Sequence, residues 1–255
     1  MKPFMFFIAL FSLLLVNTNA QLTCEQHFNT PVCNECQTEL WNSSGNQSTT
    51  CTFYGNLFME YQQKPFTYDY NMTSFDNLIN ELCSSEFTCT YEESKQIWGN
   101  IMEKCANELS TYVDWSAAPS TLEQNQHSVI ASYGSLFFFY FAVPEHNSIC
   151  YKSSSGEFCG VESIKPVIDW LKQEVPEGNI QISYDHQFVY KEDGTSIKIP
   201  TELLTSCGEC GVNMINEYEN WIDQYGVPDP IVKNVFGGSL DALKVYSSCP
   251  LVLFS

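Results

Sequence analysis

The stretch TYEESKQIWGNIMEKCANEL, Thr90 to Leu109, decides the fold class. Thr90 followed three residues later by Glu93 has the spacing of a capping box, in which each side chain bonds the other residue's backbone N–H at a helix start. Behind it Ile97, Trp98, Ile101, Met102, Cys105 and Leu109 recur at the three- and four-residue steps that share one helical face. The spacing predicts a helix from Tyr91 to Thr111. Toward the N-terminus two more stripes read the same way. One follows Thr73 or Ser74 with Phe75, Leu78, Ile79 and Leu82 inward, and the other carries Phe53, Leu57, Phe58 and Tyr61. In each case the stripe is core rather than a cofactor pocket.

Toward the C-terminus the pattern changes. WSAAPSTLEQNQ, Trp115 to Gln126, is small, polar and proline-bearing, and reads as a connection. It separates a cysteine-rich helical half, residues 21–114, from a mixed α/β half, residues 127–255. The run GSLFFFYFAV, Gly134 to Val143, is continuous, aromatic and bounded by Gly134 and Pro144, which predicts a buried strand. A membrane-dipping wedge is the rival for this run, but no lysine flanks it. Pro166 suits a first helical turn, with Val167, Ile168, Leu171 and Val175 following. Between Ile180 and Ile199 apolar segments flank Lys191 to Thr195, and Asp193-Gly194 predicts a hairpin turn. A further helix is expected from Gly211 to Gln224 with Val212, Ile215 and Ile222 inward, and Ser239 is placed to cap a last one holding Leu240, Leu243 and Tyr246. The fold class is therefore mainly α with a small β element.

Twelve cysteines make that fold a stapled one: Cys24, Cys33, Cys36, Cys51, Cys83, Cys89, Cys105, Cys150, Cys159, Cys207, Cys210 and Cys249. All follow what reads as a cleaved signal peptide, residues 1–20: Lys2, an apolar run from Phe4 to Val16, and short residues up to Ala20. Export to an oxidising compartment lets such thiols persist as disulfides. Spacing does not give the connectivity, but parity constrains it. Seven cysteines precede the gap between Cys105 and Cys150 and five follow, so complete pairing demands a bridge across it. The segment LCSSEFTC, Leu82 to Cys89, followed by a helix ending in Cys105-Ala106-Asn107-Glu108-Leu109, resembles the cysteine-and-helix arrangement of secreted cysteine-rich fungal proteins of no assigned activity. The resemblance implies export and a helical disulfide scaffold, and no catalytic residue.

Charge narrows the ligands. Eleven basic residues face thirty acidic ones for a net of −19, and every basic residue is lysine. Without arginine, two-pronged capture of phosphate or carboxylate is absent, and a polyanion is repelled. Nucleic acid and anionic membrane surfaces are poor candidates. No later segment reads as a membrane span, and no cofactor or metal is expected, since no calcium-loop pattern appears. Three sequons, at Asn42, Asn46 and Asn71, are candidate glycosylation sites.

Catalytic signatures are sparse. Cys207-Gly208-Glu209-Cys210 ahead of a helix resembles the active-site segment of thioredoxin-like oxidoreductases, where the helix N-terminus lowers the first thiol's pKa; the strand such folds place before it is missing. With Cys33 to Cys36 it also offers four thiolates for zinc, an idea weakened by the oxidising compartment. The histidines, His27, His127, His146 and His186, are scattered, and His186 beside Asp185 would point the opposite way in a strand. A paired-carboxylate hydrolase, acid-tolerant and secreted, stays open because its two acids need only meet in space. The leading expectation is a secreted, extracellular, non-enzymatic protein that binds an extracellular protein or a carbohydrate. Its 14 tyrosines and 5 tryptophans supply rings that stack on sugars.

Overall fold

The computed structural model describes residues 23–43, 51, 72–175, 180–184, 187–204 and 208–239. Outside these lie the signal segment, the Phe53–Tyr61 stripe, Asn46, Asn71, Asp185, His186, Cys207, Cys249 and the helix expected after Ser239. The chain order is α1 (Cys24–His27), α2 (Glu35–Trp41), α3 (Met72–Ser84), α4 (Tyr91–Lys104), a 3₁₀ turn (Glu108–Ser110), α5 (Pro119–Tyr140), α6 (Ala142–Cys150) and α7 (Cys159–Glu174). Strands β1 (Ile180–Ile182), β2 (Phe188–Lys191) and β3 (Ser196–Lys198) follow, then α8 (Thr201–Leu204), α9 (Glu209–Tyr225) and a π turn (Ile231–Val235).

The capping box at Thr90 forms as its spacing predicts. Thr90 Oγ1 accepts from the Glu93 backbone N–H, and Glu93 Oε2 accepts from the Thr90 N–H at 2.9 Å. The helix ends earlier than expected, at Lys104, because Cys105 leaves helical geometry (φ −106°, ψ 23°) where its sulfur joins Cys36. Ile101 is fully buried, and Ser94, one turn in, donates to the Phe139 carbonyl of α5. Thus α4 lies along α5, the central helix.

The Gly134–Val143 stretch is not a strand. It is the C-terminal part of α5 and the start of α6. The physical reason lies in its surroundings. Phe137, Phe138, Phe139, Tyr140 and Phe141 are all buried, so the helix is covered on every side and shows no 3.6-residue alternation. Gly134 does not interrupt it, and Pro144 falls in the first turn of α6, where a missing N–H costs nothing. The composition break at 115–126 is likewise ordered: Trp115 is buried, Pro119 opens α5, and the only non-helical residue inside is Gln126 (φ −139°, ψ 30°). A single buried cluster extends from Phe28 through the α5 aromatics to Ile215, Tyr218 and Phe236.

Pro166 lies in the interior of α7 rather than at its start. The helix begins seven residues earlier because Val161 and Ile164 share the buried face of Val167, Ile168 and Leu171. That face packs on the small antiparallel sheet, order β1-β2-β3, through Ile180, Val189 and Ile199. The expected turn closes β2 on β3: Gly194 has φ +81°, and Asp193 Oδ1 accepts from the Thr195 N–H and hydroxyl at 2.9 and 2.6 Å. In α9, Ile215 is buried as expected, but Val212 is 46% exposed; Tyr218 and Trp221 take the inward face instead. Among the described residues no helix is long and apolar enough to cross a membrane.

Among the described residues five disulfides fasten this frame: Cys24–Cys33, Cys36–Cys105, Cys51–Cys89, Cys83–Cys150 and Cys159–Cys210. Cys83–Cys150 ties α3 to α6 and is the bridge across the cysteine-free gap that parity demands.

Candidate binding site

The cysteine motifs separate first. Cys210 stands in the first turn of α9 but is bonded to Cys159, and Cys33 and Cys36 are bonded to Cys24 and Cys105. In neither C-x-x-C is the intervening pair closed by its own two sulfurs, as a redox exchange requires, and the zinc reading loses its thiolates. Cys207 lies outside the described residues. Among the described residues no group of three or more histidine, cysteine or acidic side chains is placed to hold a metal ion.

The scattered histidines resolve into two settings. His27 at the end of α1 and His127 on α5 meet with ring centres 5.3 Å apart. His146 on α6 stacks on Phe87 at 4.1 Å, and burial lowers its pKa. Among the acids, Glu145 is the one buried charged side chain of the described residues, 2% exposed in the first turn of α6, where its charge helps push the buried Tyr218 hydroxyl's pKa up. Glu123 accepts from Tyr184 at 2.9 Å, and its pKa is raised by burial. In both places the acid faces a tyrosine. Asn42 lies half-buried just beyond α2.

The arrangement that sequence reasoning left undefined is aromatic. Tyr91 from the start of α4 stacks on Tyr225 from the end of α9, with ring centres 3.7 Å apart and planes 11° from parallel. Trp221, one turn before Tyr225, meets both edge-on at 5.6 and 4.6 Å. Tyr140 at the end of α5 reaches Trp221 and also Trp98, at 6.4 and 5.8 Å, and its hydroxyl donates to the Gly226 carbonyl. Burial raises the Tyr140 pKa further from neutrality, so it stays a donor. Five rings from three helices thus form one nest, half-exposed at Tyr91, Trp98 and Tyr225 and closed at Tyr140 and Trp221. Lys95 lies over the Tyr91 ring at 5.4 Å.

Two polar atoms in the nest are unsatisfied. The indole N–H groups of Trp98 and Trp221 are buried and have no acceptor among the described residues. A buried donor left without an acceptor costs about 1–3 kcal/mol, so most folds avoid it. By contrast Trp115 donates to the Asn234 carbonyl at 2.7 Å.

No known family model, curated protein or solved structure matches the chain.

Proposed function

We propose that this chain is an exported, disulfide-stapled binding protein that takes a carbohydrate against the aromatic nest of Tyr91, Trp98, Tyr140, Trp221 and Tyr225. The observation that carries the reading is the cluster of stacked, partly exposed rings. A sugar matches that chemistry because its C–H faces stack on aromatic rings. The overall charge favours a neutral ligand: the net of −19 repels anions, and no arginine is available to grip one. Five disulfides and the absence of membrane-length helices among the described residues suit a protein working outside the cell.

A glycan array probed with the full chain tests this, followed by titration of tryptophan fluorescence with the best ligand. Binding is expected, with Tyr225→Ala weakening it about tenfold or more through lost stacking. An array blank against the wild type, or affinity unchanged in Tyr225→Ala, overturns the proposal.

A further inference from the structure

His27 and His127 stand 100 positions apart in the chain, yet they meet where a covalently closed arm touches the central helix. The arm is α1 with its flanks, drawn into a small loop by Cys24–Cys33. On the other side His127 follows Gln126, the one break in α5, whose side-chain Oε1 is buried without a donor among the described residues. Phe28, 8% exposed, seats the arm by packing its ring 5.2 Å from His127, and Trp41 approaches His27 at 5.4 Å. Two ionisable rings therefore lie in an aromatic seam with a discontinuous helix under one and a closed loop behind the other.

The carboxylates of the neighbouring elements are committed elsewhere. Glu25 on α1 is engaged by its own backbone N–H and by Thr23. On α2, Glu35 lies 3.8 Å from Lys104 of α4, and Glu39 also acts on that lysine. On α5, Glu123 is held by Tyr184. The charge that acts on His27 is that of His127. Burial lowers both imidazoles' pKa values, and for His27, brought down to about 4 from 6.5, the neighbouring ring adds to the effect.

We propose that the His27–His127 pair is an acid-sensitive clasp: protonated together, the two rings repel, and the Cys24–Cys33 arm parts from α5 at the Gln126 break. The direction follows from linkage. Both rings are held neutral while the arm is seated and return to ordinary histidine behaviour once released, so the released arm takes up protons first as pH falls. The seated form is fully held above about pH 6.5 and is lost progressively toward about pH 4. This inference is independent of the carbohydrate reading, since the clasp and the nest share no residue.

Hydrogen exchange of the full chain, compared at about pH 7 and about pH 4.5 after correction for intrinsic rates, reads the arm directly. Exchange over residues 23–33 is expected to rise about tenfold on acidification while α4 stays protected. His127→Phe keeps a ring in the seam and removes one of the two charges, leaving only the burial of His27 to respond, so its arm is expected to show a clearly smaller rise. An unchanged wild-type arm, or a rise in His127→Phe as large as the wild type's, overturns the clasp. Should that variant fail to fold, NMR titration of the two wild-type imidazoles decides: depressed, mutually shifted titrations support the proposal, and two independent titrations near pH 6.5 reject it.

Discussion

At the scale of single residues, close packing rather than charge sets the tolerances. Gly160, the second residue of α7, sits so near α6 that a Cβ there would stand 2.7 Å from Ile149 Cγ2 and 3.3 Å from Ile79 Cδ1 of α3. Neither isoleucine lies at the end of a long flexible chain, and both belong to helices tied by Cys83–Cys150. Gly160→Ala is therefore expected to lower stability by about 1–3 kcal/mol, the usual cost of overpacking, read as a lower urea midpoint at unchanged slope. A variant as stable as wild type would mean that α7 and α6 move apart freely. A second residue-scale network joins Trp115, Asn234, Tyr133 and the Leu109 carbonyl, with Asn234 Nδ2 donating to the Tyr133 hydroxyl at 2.6 Å. Its burial raises the Tyr133 pKa to about 12, so the hydroxyl remains protonated and the network intact through the whole range in which the His27–His127 clasp works.

At the scale of elements, what the sequence reveals depends on how many sides of a helix are covered. Helix α4 has one buried face, so its stripe and its capping box are visible in the order of residues 90–109. Helix α5 is buried all round from Ile130 onward, and a helix with no solvent side loses the periodicity that would identify it. Val212 fails for a related reason: Tyr218 and Trp221 are larger, and their burial turns the small valine out. Pro166 shows tertiary packing overriding a local rule, because the apolar face of α7 on the sheet holds the helix across a residue that removes the bond to the Glu162 carbonyl. An interior proline costs about 3 kcal/mol, while its stiffening of the unfolded chain returns about 0.4–1 kcal/mol. Since Pro166 is exposed, Pro166→Ala is expected to raise stability by about 1–2 kcal/mol, measured by thermal or urea unfolding. A loss of stability would show that the helix is shaped around the ring.

At the scale of the whole molecule, the frame is a set of covalent ties between elements distant in sequence. Parity alone required one bridge across the cysteine-free gap, but which cysteines form it depends on α3 lying against α6, and no spacing rule reports that. The aromatic nest was hidden in the same way: Tyr91, Trp98, Tyr140, Trp221 and Tyr225 belong to three helices and share no local motif. Of the five only Trp98 stands in a readable inward stripe; Tyr140 lies in the run that reads as a strand, and the convergence of the five was not legible. The two C-x-x-C motifs were misleading for the converse reason, since Cys36 and Cys210 bond to Cys105 and Cys159, 69 and 51 residues away. Non-reducing peptide mapping of the purified chain tests that frame most directly. Linked peptides joining Cys83 to Cys150, Cys159 to Cys210 and Cys36 to Cys105 are expected. A peptide closed between Cys207 and Cys210 or between Cys33 and Cys36, or free thiol at any of those six positions, would contradict it.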